Sequence, residues 1–400
     1  MKRFFVALLY TISLFLFFTA CNCQKDKEQY LIVLSVDGFR WDYPDLYSTP
    51  NLDSMAMEGV KASAMQSCFP TKTFPNHYSM ATGLYPDHHG LILNSFYADD
   101  IGGRYSIGDR HSVQDPAYYG GEPIWVTAEK QGLKAASYYW VGSEALHPSI
   151  WKNYDESLAF SSRIDSVFAW LSLPEKQRPR LIMWYMHEPD KISHKYGPKS
   201  VETKMEVERI DSLLGVFRHK LRHHPLASKI NFVVVSDHGM CEISPERLIR
   251  IDSLIPEHWI ERRSGDDVVV NIAPAKAYSD SVYLKLKKVQ HILVWRKNEI
   301  PARLHFGSNS RIDEIVILAD SSWNIGFSTH KNYLSGGHGF DNRNTDMDGI
   351  FYAYGPAFKK AYQQPKFINI ELYNIFAKVL GLKPAENDGN IENVKGVFAN

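Results

Sequence analysis

The chain has 400 residues, with 45 Lys+Arg against 45 Asp+Glu and a formal net charge of zero. That length suits one large domain or two ordinary ones, and the charge balance offers no basic excess for a nucleic-acid-binding surface. A composition of 44% hydrophobic and 13% aromatic residues excludes general disorder, four cysteines are too few for a disulfide framework, and a single long apolar run excludes a multi-span membrane protein.

That run comes first. Lys2 and Arg3 precede an apolar stretch from Phe4 to Phe18, followed by Thr19-Ala20-Cys21. Residues 1–20 read as a secretory signal peptide, with an uncleaved signal anchor as the plainer alternative. The small Ala20 directly before Cys21 fits a bacterial lipoprotein site, at which Cys21 is freed and acylated. The polar residues 21–29 would form a tether. The expectation is an exported protein, in the periplasm or on the outer membrane, held by a lipid on Cys21.

Beyond the tether, Tyr30–Val36 is a continuous apolar run ending at Asp37-Gly38. It reads as a strand buried on both faces. Leu181–Met186, ending at His187-Glu188, and Asn231–Ser236, ending at Asp237-His238-Gly239, repeat the form. Between the last two, Val207, Ile210, Leu213, Leu214, Phe217 and Leu221 recur at helical spacing. Strand, helix, strand is the grammar of an α/β fold covered on both faces. In such sheets sites collect beyond the carboxyl ends of the strands, where three runs here end in carboxylate or imidazole. From about residue 262 to 320, three strand-like runs surround one helix near Asp280 to Lys288, which predicts a small α+β insertion. A final helix carries Leu372, Ile375, Phe376 and Val379 and stops at Gly381.

Taken singly, the polar residues have ordinary explanations. Asp190 and His194 are four apart, which puts them on one helical face able to grip a cation, yet such pairs are more often solvated. Asp37 and Asp237-His238 could be simple strand exits, and His338 a loop residue between glycines. Thr73 stands where an N-cap belongs, with Pro75 early in the helix that follows. The same place would set a hydroxyl at the positive end of a helix dipole, where a phosphate is favoured. Taken together, Asp37, Thr73, Asp190, His194, Asp237, His238 and His338 form an oxygen and nitrogen donor set without thiolate. That set suits zinc, with manganese second, and is large enough for two metals acting at phosphorus.

The strings LSVDGFRWDY, FPTKTFPNHYSMATGLYPDHHGLILN, EPDKISHKYGP, VVVSDHGM and GGHGFDN, in this order and spacing, resemble the nucleotide pyrophosphatase/phosphodiesterase family of the alkaline phosphatase superfamily, from about Tyr30 to Pro384. The resemblance implies an alkaline-phosphatase-like α/β fold: a central mixed, mostly parallel sheet flanked by helices, with residues 30–398 as the catalytic domain including the insertion. It implies one Zn2+ on Asp190, His194 and His338 and a second on Asp37, Asp237 and His238, with Thr73 as nucleophile and Asn94 donating to a phosphoryl oxygen. Phe74 matches one of the family's two base-stacking aromatics and Tyr154 the other, while Val141 and Glu144 depart from the commoner Pro and Asp of the pocket. The implied reaction is hydrolysis of nucleotide phosphodiester or pyrophosphate bonds to nucleoside 5′-monophosphates through a threonyl-phosphate intermediate, by a monomer. Alternatives on the same site are phosphomonoester, phosphonate or lipid phosphodiester hydrolysis. A sulfatase is a further rival, because Cys68-Phe-Pro-Thr-Lys72 faintly resembles the motif oxidised to formylglycine, and so is an inactive binding protein.

Overall fold

The structure is a computed structural model that describes residues 28–327 and 334–399. The expected signal segment, Cys21 and most of the tether lie outside the described residues. Among those described, no helix is long and apolar enough to cross a membrane.

Among the described residues, twelve strands form the two larger sheets. They are β1 (Tyr30–Val36), β2 (Val60–Ala62), β3 (Ala135–Tyr138), β4 (Ile150–Lys152), β5 (Leu181–Met186), β6 (Ile230–Val235), β7 (Ile260–Asp266), β8 (Val269–Pro274), β9 (Ile292–Arg296), β10 (Ile315–Ala319), β11 (Phe351–Tyr354) and β12 (Tyr362–Gln364). Eight of them form the central sheet in the order β12-β2-β11-β6-β1-β5-β3-β4. β1 runs parallel to both β5 and β6, and only β11 is antiparallel to its neighbours.

The unbroken apolar run of β1 follows from its two-sided cover. Leu31 and Val33 face a core built with the helices Thr73–Thr82, Ile124–Lys130 and Glu371–Leu380. Ile32 and Leu34 face a second core built with Pro50–Glu58, Phe160–Leu171 and Val201–Arg222. A strand buried on both faces has no polar face to supply an alternation. The long helix begins where Ser200 accepts a hydrogen bond from the Thr203 N–H at 3.1 Å, an N-cap.

The register decides where chemistry can gather. Val36 pairs with Met186 and Ser35 with Val235, so the three strands end level. Asp37, His187 and Asp237 therefore emerge from one sheet edge although they lie far apart in sequence.

The insertion is a four-stranded antiparallel sheet, β7-β8-β10-β9, with one helix, Ser279–Leu286. It begins at Ile260, ahead of the expected start, because β7 adds an edge strand. Its sequence, Ile260-Glu-Arg-Arg-Ser-Gly-Asp266, is mostly polar and gives no apolar run to read. Its buried residues, Val269, Val270, Ile315 and Ile317, join the same core as Leu31 and Val33. Cys68 and Cys241 are both free.

Candidate active site

Asp37 is the first residue past β1, and its N–H donates to the Met186 carbonyl at 2.9 Å. The chain must then turn sharply. Gly38 has φ +65°, and a Cβ there would meet Asp190 at 2.9 Å. Only glycine lets Asp190 approach so closely. Asp190 opens the helix Asp190–Tyr196 and His194 follows one turn later, so both face the same side as the spacing requires. Asp237 and His238 follow β6. His338 follows the short strand Gly336–Gly337, which pairs with Cys241–Glu242. Gly339, with φ +117°, leaves room for the Lys72 side chain, whose Cε would lie 2.7 Å from an added Cβ.

Thr73 corrects one expectation. Lys72 is the N-cap residue and Thr73 is the first residue of the helix Thr73–Thr82, with no side-chain capping bond. The hydroxyl is thereby spared from the backbone and points elsewhere: Thr73 Oγ1 lies 3.1 Å from His238 Nε2.

All six expected ligands converge. Asp190 Oδ1 is 3.4 Å from His194 Nε2 and 3.8 Å from His338 Nε2. His238 Nε2 is 3.4 Å from Asp37 Oδ1 and 3.1 Å from Asp237 Oδ2. The His238 and His338 rings stack with centroids 3.6 Å apart. Two donor groups have ligand atoms mutually within 4.8 Å: Asp190 with His194 and His338, and Asp37 with Asp190 and His238. Asp190 thus stands in both groups, where the expected division gave it to one. Asp237 joins through its contact with His238.

The hydrogen-bond pattern tests whether these residues suit a cation. The three histidines each set Nδ1 against a backbone carbonyl: His194 on Gly336 at 2.8 Å, His238 on Gly239 at 2.8 Å, and His338 on Thr71 at 2.9 Å. A carbonyl only accepts, so Nδ1 carries the proton and Nε2 presents a lone pair. Asp37 Oδ1, Asp190 Oδ1 and Asp237 Oδ2 are buried with no hydrogen-bond donor. Three orphaned carboxylate oxygens facing three imidazole lone pairs make a cluster of acceptors. Such a cluster is costly to bury unless a cation sits among them, and the backbone anchoring of each ring is the usual support of a metal-ligating histidine.

The buried carboxylates and imidazoles act on one another's charge. Burial, then the charges of Asp237 and Asp190, push the Asp37 carboxyl well above its ordinary range. Burial raises Asp237 too, but His238 and His77 outweigh it and hold that carboxyl well below the usual value, while burial of His238 is outweighed in turn by Asp237, which raises that imidazole above its ordinary value. Burial, with His238, Lys72 and His194 adding, keeps the His338 imidazole well below its ordinary value and therefore neutral. Three carboxylates packed this closely raise the cost of their own negative charge, which a cation among them would offset.

A cleft of about 700 Å3 opens over this cluster. Thr73, Phe74, Asn94 and Tyr154 all line it. Asn94 Oδ1 accepts from the Phe74 N–H at 3.1 Å, which fixes the amide with its oxygen engaged and its NH2 available. Phe74 leans on Tyr105 at 6.2 Å. Tyr154 is 38% exposed, so it is a cleft residue and not a core aromatic. Its ring meets Tyr139 edge-on at 5.2 Å, and its N–H donates to Glu144 at 3.3 Å. Glu144 also pairs with Arg110. Cys68, by contrast, is fully buried with its thiol on Asn369 and does not line the cleft, which removes the nucleophile of the sulfatase reading.

One residue missing from the expected set is Tyr185. It lies opposite Ser35 in the β1–β5 register, and its hydroxyl donates to Asp37 Oδ2. Inside a run of apolar residues nothing marked it. The signal is a single phenol level with Ser35, two residues before Asp37 on the neighbouring strand, legible only once the register is known.

Comparison with known proteins places this geometry. A sequence model of the family described as type I phosphodiesterase / nucleotide pyrophosphatase matches residues 31–341. A venom phosphodiesterase of Crotalus durissus collilineatus is 37% identical over 402 residues, covering 95% of this chain and 48% of the relative. Ectonucleotide pyrophosphatase/phosphodiesterase family member 3 of Rattus norvegicus is 35% identical over 388 residues, covering 92% of this chain and 44% of the relative. The chain spans about half the length of the curated relatives it matches. Among solved structures, murine ectonucleotide pyrophosphatase / phosphodiesterase 5 superposes with a TM-score of 0.89 at 30% identity, covering 93% of this chain and all of that one. An inactive threonine-to-alanine form of that murine protein, in complex with AMP, matches equally well.

Proposed function

Because the chain belongs to the type I phosphodiesterase / nucleotide pyrophosphatase family, we propose that it hydrolyses phosphodiester or pyrophosphate bonds of nucleotides, releasing nucleoside 5′-monophosphates. The observation that carries this reading is the Thr73 hydroxyl, free of any capping bond and 3.1 Å from His238 Nε2 at the edge of an acceptor-only cluster. The cofactors proposed are two Zn2+ ions, held by Asp37, Asp190, His194, Asp237, His238 and His338. When bound, they would supply the positive charge that lowers the pKa of the threonine hydroxyl and offsets charge developing on the phosphoryl group.

The rest falls to the chain. Thr73 Oγ forms a bond to phosphorus as the bond to the leaving oxygen breaks in line, and the nucleoside monophosphate stays as an ester on Thr73. Water then attacks phosphorus and releases Thr73, so two inversions give net retention. The Asn94 NH2 donates to a phosphoryl oxygen, its orientation fixed by Phe74 N–H. Phe74 and Tyr154 border the cleft as aromatic faces for a nucleobase, which supports nucleotides over phosphonates and lipid diesters as substrates. The AMP bound by the murine relative supports the same choice.

Export with a lipid on Cys21, and a monomeric state, complete the proposal. Cys21→Ala should move the protein from membrane to soluble fractions, and unchanged fractionation would remove the anchor. The experiment for the reaction is turnover of a phosphorothioate diester of known configuration at phosphorus. Retention is expected, whereas inversion would replace the threonyl intermediate by direct attack of water.

A further inference from the structure

His77 belongs to none of the donor groups, yet it is wholly buried one helical turn after Thr73. Its Nδ1 lies 2.9 Å from the Thr73 carbonyl, which fixes the proton on Nδ1. The same N–H edge lies 3.3 Å from Asp237 Oδ2, the carboxylate oxygen that has no hydrogen-bond donor. On the other side of the ring, Nε2 accepts from the Ser35 hydroxyl at 2.8 Å. Ser35 stands on β1 two residues before Asp37. One imidazole therefore touches the backbone of the nucleophile, the carboxylate of Asp237 and the strand that delivers Asp37.

The ring has little freedom to do anything else. Tyr185 packs edge-on at 5.1 Å, and that tyrosine's hydroxyl holds Asp37. Trp140 packs edge-on at 5.3 Å, and its Nε1–H donates to the His77 carbonyl at 3.0 Å. An apolar residue of similar size would fill the space without a hydrogen on the Asp237 side. A buried imidazole with both nitrogens engaged on three separate elements is more than packing requires.

We propose that His77 is a positioning residue that locks the Asp237 carboxylate, the helix carrying Thr73 and the end of β1 into one rigid frame. It neither touches substrate nor ligates metal. It acts by setting the Nδ1 edge of its ring against Asp237 Oδ2, which limits how that carboxylate can turn, and by fixing the height of the helix against β1 through Ser35. The inference rests on the reading of the carboxylate and imidazole cluster as a metal centre.

The position separates two kinds of replacement. His77→Asn keeps an N–H where Nδ1 stands and gives up the reach to Ser35. His77→Leu fills the volume and gives up both. The measurement is zinc retained per chain against a fixed chelator, with kcat and KM for a small chromogenic diester and a melting curve for each protein. His77→Leu should fall from two zinc equivalents towards one, and kcat should drop roughly 10–100-fold, the usual cost of losing a metal site's outer support. KM should stay within about threefold of wild type, because the cleft walls are untouched. His77→Asn should recover most of the zinc and most of kcat.

A folded His77→Leu that keeps both metals as tightly as wild type, at unchanged kcat, overturns the inference. So does loss of both metals in proportion to a lowered melting point, which would make the residue merely structural. If His77→Leu does not fold, Ser35→Ala carries the decision: a severalfold fall in zinc retention supports the frame, and unchanged retention overturns it. A wild-type chain that binds no transition metal overturns the metal-centre reading itself, and this inference with it.

Discussion

The central sheet and the insertion are built from similar residues and do different things. In the sheet, β1, β5 and β6 run parallel and end level, so every loop leaving their carboxyl ends opens on one edge. In the insertion, β7 to β10 are antiparallel, so consecutive turns fall at alternate ends. Chemistry gathers where direction is shared. All six candidate ligands and Thr73 lie outside the insertion, which among the described residues reaches the cleft through Asp267 at the turn between β7 and β8. The insertion is nonetheless continuous with one core of the sheet, so it contributes stability without contributing donors.

The largest expected effect falls at the shared edge. Thr73→Ala should cost about 10³-fold or more in kcat with the metals retained, because a nucleophile has no substitute in a two-step displacement. Near-normal turnover would break the comparison at its centre. Metal removal comes next. Dialysis against a chelator should abolish turnover and lower the melting temperature, since the orphaned oxygens of Asp37, Asp190 and Asp237 would lose their counter-charge. Zinc should restore both, and a melting point indifferent to chelator would separate the cluster from any metal.

The aromatic walls should show a smaller, selective effect. Phe74→Ala or Tyr154→Ala should raise KM for a nucleotide about 5- to 100-fold, as expected for losing roughly 1–3 kcal/mol of base stacking. A small diester that cannot stack should be nearly unaffected, and equal effects on both substrates would make the pair structural.

The smallest effect on catalysis sharpens the contrast between the two regions. Ile32 on β1 and Ile317 on β10 are both fully buried. Either isoleucine cut to alanine should cost about 2–5 kcal/mol of stability by denaturant unfolding. Ile32→Ala should also reduce kcat, because β1 sets the height of Asp37. Ile317→Ala should leave kcat within about twofold, measured well below the unfolding midpoint. Equal catalytic losses would mean that the insertion also aligns the edge.

Much of this was legible beforehand, for reasons that differ by residue. β1, β5 and β6 announce themselves because two-sided burial forces an unbroken apolar run. Asp190 and His194 are readable as a pair because helical geometry makes spacing equivalent to proximity. The stop at Gly381 is readable because φ +68° there suits glycine. β7 and β11 were not readable. The first is a polar edge strand, and the second is four residues long and antiparallel among parallel neighbours.

The sequence alone determined the α/β class, the donor types and which residues stand at strand ends, because burial pattern and helical period are local properties of the chain. Only the tertiary structure decided that Thr73 leaves the cap to Lys72 and turns to His238, since a threonine's choice between backbone and solvent depends on what packs beyond it. Only the tertiary structure placed Asp190 in both donor groups and set Tyr185 on Asp37 and His77 on Asp237. The Tyr185–Asp37 contact joins residues 148 positions apart through the parallel register of β1 and β5. Register is a property of three strands together, so it is written in none of them singly.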